Sequence, residues 1–362
     1  MADRLRVALV GGPMYDSLYE PFIDDVEVVV HADHPTLNRR VAELLAAGER
    51  IDVLSTHGKY APSQAAWLRP LDTLLDASAL STLAPRAVDL CRYGGALLCA
   101  PRNIDVRILW WRTDRMASPP DTWAELIASD VAFGFTGRES GLFGLFFELV
   151  QGNGGALFDA GGHPTMTGPE AEAAVALLCD LAQRAPTALV DWHYDDVDHA
   201  LLRGAVDCAA AWPGGYGPIR ASDVYDVLAP APYFAGTATR VSYSGVHGWA
   251  IPTSCGDLDR AVELVTRLCS VEMHEREAAA GGIPARVDVL AAATPIDATD
   301  AARLTITRDT IEQAMITYPP LVRFPEVEDA GWGAINAALR GDLTPSAAVE
   351  TIQRAAEAVL GA

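Results

Sequence analysis

Within its first 60 residues the chain switches hydrophobic period repeatedly, and this limits its fold more than any other feature. Residues 4–10 run apolar after a short alternation, and residues 26–30 repeat the pattern. Residues 38–47 then take helical apolar spacing, stopped by Gly48, and residues 51–54 return to a strand-like run. Strand, helix, strand at this spacing predicts a parallel sheet with crossover helices, an α/β fold. Such sheets hold ligands past the carboxyl ends of their strands. The loops over residues 11–16 and 55–60 occupy that position, which makes Tyr15, Asp16, His57 and Lys59 candidate ligand contacts.

The pattern restarts after Thr113. Asp121 or Thr122 is placed to cap a helix, with Glu125 where a capping box needs it relative to Thr122. Residues 131–135 read as another strand, followed by Glu139 and Ser140, which are further candidate ligand contacts, and residues 169–185 as a long amphipathic helix. Further helices are predicted around residues 261–268 and 344–360. The 362 residues exceed one ordinary domain and suit two lobes of roughly 150–180 residues each. There is no tandem repeat and no low-complexity linker, so the chain is expected to pass between the lobes more than once.

A formal net charge of −21 argues against a nucleic-acid partner, since that surface must be basic to displace counterions. No apolar window is long enough to cross a bilayer. The opening residues 1–10 do not read as an export signal, because the apolar stretch is short and runs into Gly11-Gly12-Pro13. Either a targeting segment has been removed or the protein stays in the cytosol. The six cysteines lie apart, without the spacing of a zinc site or redox pair, and read as free thiols. No cofactor motif is present: there is no Gly-x-Ser-x-Gly elbow, phosphate-binding loop or His-Glu-x-x-His. Asp195, Asp198 and His199 are metal-ligand types, but they read first as the acidic start of a helix. No metal site is expected.

Several stretches, in order along most of the chain, carry a resemblance. Leu97 to Trp111 contains Pro101, Asp105 and Leu109 in the pattern G-x-P-x-x-x-D-x-x-x-L, with Cys99 at the glycine position. Pro119-Pro120-Asp121-Thr122-Trp123-Ala124-Glu125-Leu126 is similar to P-P-x-T-W-x-E-L. Gly154-Gly155-Ala156-Leu157-Phe158-Asp159 matches G-G-x-x-F-D, and the run from Gly204 to Trp212 resembles G-x-A-A-M-x-x-x-W with departures at Val206, Asp207 and Cys208. Gly245 to Pro252 and Gly281-Gly282-Ile283-Pro284-Ala285-Arg286 complete the set. Together they resemble the family 1 extracellular solute-binding proteins, sugar-binding receptors of ABC importers related to maltose-binding protein.

The resemblance implies a two-lobed, periplasmic-binding-protein-like (type II) fold with a ligand cleft between lobes joined by crossing segments. Lobe 1 is expected at residues 1–108 and 245–298, and lobe 2 at 109–244 and 299–362. It implies capture of a small solute, a mono- or oligosaccharide, by lobe closure, and delivery to ABC permease subunits by a monomeric, extracytoplasmic protein without catalysis. A sugar needs an aromatic plate and planar hydrogen-bonding groups. Trp212 fits the plate, followed by Gly214, Gly215 and Tyr216; Asn103, Asp105, His247 and Arg286 are the further candidates. Two or more of Arg102, Arg107, Arg138 and Arg286 facing the solute would favour an acidic sugar. Two alternatives stay open: a cytosolic solute sensor of the same fold, and a carbohydrate-active enzyme with paired carboxylates.

Overall fold

The computed structural model describes residues 4–361. The chain divides into two compact units, residues 1–105 with 245–294 and residues 106–244 with 295–362. It therefore passes from one to the other after Asp105, Ser244 and Thr294. Two of these passages lie inside strands of one small sheet, ordered Met315–Ile316, Ser242–Gly245, Asp105–Val106.

Unit 1 is built on a five-stranded sheet ordered Val26–Ala32, Leu5–Val10, Val53–His57, His247–Ala250, Ala100–Pro101. The first three strands are parallel, linked through the helix His34–Ala46, as the switching period requires. The fourth strand runs antiparallel and arrives from the distant segment 245–294. The third strand continues to His57, where the sequence reads as a polar loop. Ser55, Thr56 and His57 pair with Trp249, Gly248 and His247, so a partner remote in sequence extends the strand. Trp249 is buried with its ring edge-on to Tyr19 and Phe22.

Unit 2 has a mixed four-stranded sheet ordered Leu228–Ala231, Ile108–Arg112, Cys208–Ala211, Phe133–Gly134. Its core surrounds the helix Glu139–Gly152, in which every residue from 141 to 150 is buried. A helix apolar on all sides must be enclosed by other elements, and here Phe324–Leu339 and Pro169–Arg184 pack on it. Thr122 caps Trp123–Ala128 as expected: its hydroxyl accepts from the Glu125 amide at 3.1 Å, while the Glu125 carboxylate reaches the Asp121 amide. All six cysteines are free, with Cys91, Cys99, Cys208 and Cys269 buried. No helix among the described residues is long and apolar enough to cross a membrane.

Candidate functional site

In unit 1 a polar group forms at the ends of three strands. The antiparallel register sets His57 directly opposite His247, and cross-strand neighbours have their Cβ atoms about 5 Å apart. The two rings meet edge to face at 5.0 Å. Gly245 makes this possible, because a Cβ there would lie 2.0 Å from His57 Nε2. The turn at Gly12, with φ of 141°, leads from the first strand into the helix Pro13–Tyr19. That helix brings the Tyr15 hydroxyl to 3.3 Å from His247 Nε2.

Asp105, at the end of its unit 1 segment, places Oδ2 at 2.6 Å from the same nitrogen. Its Oδ1 is buried without a hydrogen-bond partner. Burial pushes the Asp105 carboxyl up to about 7 against the pull of the Arg102 charge. Burial and the Arg102 and Lys59 charges push His247 well below the usual histidine range. Asn103 Oδ1 accepts the His247 amide at 3.1 Å, and Asn103 Nδ2 donates to Glu277 at 3.1 Å. Glu277 also faces Arg102, its Oε2 at 2.8 Å from Nε. The Arg102 guanidinium lies 5.1 Å over the Tyr15 ring, a cation–π arrangement.

In unit 2 an aromatic group forms at the end of the strand Cys208–Ala211. Trp212 is half-buried, with Tyr243 and Tyr194 edge-on at 5.8 Å and 6.3 Å. The Arg107 guanidinium lies 5.3 Å from its ring centre and is ion-paired with Glu148, both fully enclosed. Glu148 also accepts the Tyr243 amide at 2.7 Å. Trp110, Trp212, Tyr216 and Arg303 line a shallow crevice. Tyr216 is buried, stacked on Trp110 at 6.0 Å, with the Arg303 guanidinium 3.9 Å over its ring. Glu139 begins its helix at a φ of 58°, a backbone region costly for a side-chain-bearing residue. Its carboxylate meets His193 Nε2 at 2.9 Å, and this contact holds it below the usual carboxylate range. Ser140 Oγ shares a hydrogen bond with the Tyr194 hydroxyl at 2.8 Å.

The family model for bacterial extracellular solute-binding proteins matches residues 25–272. The chain belongs to that family. Solved structures of similar fold include maltose-bound MalE3 of T. maritima, at a TM-score of 0.87 and 22% identity over 99% of this chain and 100% of that one. Another is an ABC transporter solute-binding protein from Agrobacterium radiobacter K84 in complex with ribitol, at 0.85 and 19% over 99% and 98%. Among curated relatives is a "probable amino-acid ABC transporter periplasmic-binding protein" of Sinorhizobium fredii, 23% identical over 78% of this chain and 69% of that protein. The two-lobed binding-protein fold expected from the sequence is thus shown, and the family's members are transport binding proteins rather than enzymes.

The solute-binding protein brings Tyr15, His57, Asn103, Asp105 and His247 into one group within unit 1. Lys59 lies beside it, its backbone amide donating to His57 Nδ1 at 3.1 Å and its ammonium 5.1 Å from the Tyr60 ring centre. Asp16 stands apart, exposed and bonded to His31 Nε2 at 2.8 Å. Arg286 is also apart, its guanidinium held by Asp288 and the Cys269 carbonyl. In unit 2, Trp212, Tyr216, Gly214 and Gly215 share one turn, and Glu139 and Ser140 reach it through His193 and Tyr194. Asp198 abuts Gly215 while Asp195 and His199 are exposed, so those three do not gather as metal ligands. Sequence reasoning passed over Glu148 and Glu277. Glu148 carries a signal, being a lone charge in an apolar helical run, which points to a buried, partnered acid. Glu277 carries none, because its helix Val271–Ala279 is rich in charge.

Proposed function

We propose that this solute-binding protein takes a small polyhydroxylated solute, a sugar or sugar alcohol, and delivers it to the permease of an ABC importer outside the cytoplasm, as a monomer and without covalent chemistry. The observation that carries the reading is Trp212: a half-buried indole on a glycine-rich turn, held edge-on by two tyrosines beside an aromatic crevice. An indole held in this way offers an apolar plate to the C–H face of a sugar ring. Relatives bound to maltose and to ribitol support this class of solute. Arg102 and Arg107 are both matched by buried glutamates, which favours a neutral solute over an acidic one.

The test is a thermal-shift screen against sugars, sugar alcohols, sugar acids and amino acids, with Trp212→Ala alongside. A solute that binds only the native state raises the melting temperature; at 100 times its Kd it adds about 2.7 kcal/mol. The expected result is a shift with one or more neutral sugars or polyols that Trp212→Ala abolishes while the solute-free variant stays folded. A shift with amino acids alone would move the protein to the class of its Sinorhizobium relative. An unchanged sugar shift in Trp212→Ala would remove the indole from the site.

A further inference from the structure

We propose that His57, Asp105 and His247 form a binding site for a divalent cation of the zinc type. One ligand atom from each lies within 4.8 Å of the others, and no other such group of three occurs among the described residues. The residues are 9%, 5% and 4% exposed, so the site is shielded from competing water. Two imidazoles and one carboxylate are the donor set that borderline divalent metals prefer over hard cations, which favour oxygen alone.

A second, independent observation is the unpartnered Asp105 Oδ1. A buried carboxylate oxygen is normally hydrogen-bonded, and this one has no hydrogen-bond partner. A cation would satisfy it directly. The supporting shell is in place: Asn103 holds the His247 amide, and Glu277 and Arg102 pair behind Asn103. Shells of this kind fix ligand geometry in metal sites.

The metal-free geometry also predicts how the donors rank. Asp105 Oδ2 and His247 Nε2 are 2.6 Å apart, and a tetrahedral site with bonds of about 2 Å needs about 3.3 Å between ligand atoms. A sub-ångström rotation of the carboxyl supplies the difference. Both imidazoles are already engaged: His57 Nδ1 takes the Lys59 amide, and His247 Nε2 meets Asp105 and, at 3.3 Å, the Tyr15 hydroxyl. His247 exchanges its carboxylate contact for a cation shared with the same carboxylate, whereas His57 gives up an amide that nothing replaces, so His57 is the weakest of the three donors.

The experiment uses the full chain, stripped with chelator and titrated with zinc chloride by calorimetry, with no sugar present. One equivalent of zinc per chain is expected. Asp105→Asn and His247→Gln should each weaken binding by about 100-fold or more, and His57→Gln by about 10-fold, against the roughly 10–100-fold lost when only a ligand's supporting partner is disturbed. The double variant His31→Gln/His163→Gln, which removes exposed histidines paired with Asp16 and Asp159, should bind like wild type. Cobalt(II) loading of the wild-type chain gives a readout that does not depend on any variant folding. Bands without thiolate charge transfer support the site, while thiolate bands would place the metal on a cysteine and overturn it. Absence of zinc binding by the wild type, or donor variants that bind as tightly as it does, would also overturn the proposal. A sugar-induced shift in metal-free protein tests the solute reading separately, so either can fail alone.

Discussion

The two units each bury a carboxylate beside an aromatic ring, and they treat it in opposite ways. In unit 2, Glu148 accepts the Tyr243 amide and is enclosed with Arg107, whose guanidinium lies 5.3 Å from the Trp212 ring centre. In unit 1, Asp105 is equally enclosed, yet one of its oxygens has no hydrogen-bond partner and its carboxyl is raised to about 7 by burial. A fully paired buried charge makes its neighbourhood rigid, whereas an under-satisfied one waits for a partner from outside the chain. Unit 2 thus reads as a prebuilt aromatic platform, and unit 1 as a polar group whose hydrogen bonding a bound species completes.

The sharpest way to break this contrast is to remove one acid from each side. Glu148→Leu strands the Arg107 guanidinium in the core and should cost about 3–5 kcal/mol in urea unfolding, with much of the loss recovered in Glu148→Leu/Arg107→Met. Asp105→Asn, by contrast, should shift the unfolding free energy by less than about 1 kcal/mol, since a neutral amide keeps the hydrogen-bonding shape. Equal losses would mean that the two acids are satisfied alike.

Next in size is the division of labour among the aromatics. Tyr216 is sandwiched between Trp110 and Arg303, so Tyr216→Ala should lose about 3–5 kcal/mol in chemical denaturation. Trp212, only half-buried, should lose clearly less on truncation while losing solute binding. The reverse order would make Tyr216 the plate and Trp212 the support.

A third test is the pH dependence of Asp198, which burial, aided by the Asp195 charge, pushes up to about 7. The folded state holds this proton more tightly than the unfolded one. Its stabilising contribution is therefore full below about pH 4 and is lost as pH rises through 7. Asp198→Asn should match wild type at pH 4 and be about 1 kcal/mol or more stabler at pH 8, read from urea midpoints at both. A constant difference would show that Asp198 does not titrate in this range. The smallest effect is expected at Arg286, whose partner Asp288 is exposed: Arg286→Ala should cost less than about 1 kcal/mol and leave solute-induced melting shifts unchanged.

Much of the fold was legible because local chemistry carries it. The period switch over residues 4–54, the Thr122 cap and the amphipathic run Pro169–Arg184 all appear as the residues predict. The aromatic turn was legible for the same reason, since Trp212 and its glycines are neighbours in the chain. The unit 1 group was legible only as separate candidates. Tyr15 and His57 were singled out by their place after a strand, and Asp105 and His247 by the family resemblance, but no local pattern joins residues so far apart.

The sequence alone therefore determined the elements, the α/β class and the aromatic turn, because each rests on residues within a turn or two of one another. Tertiary structure decided which charges are paired and which are left open. In unit 1 it did so through one antiparallel strand pairing, which sets His247 against His57 and beside Asp105. Pairing of that kind depends on long-range register, which hydrophobic periodicity does not encode.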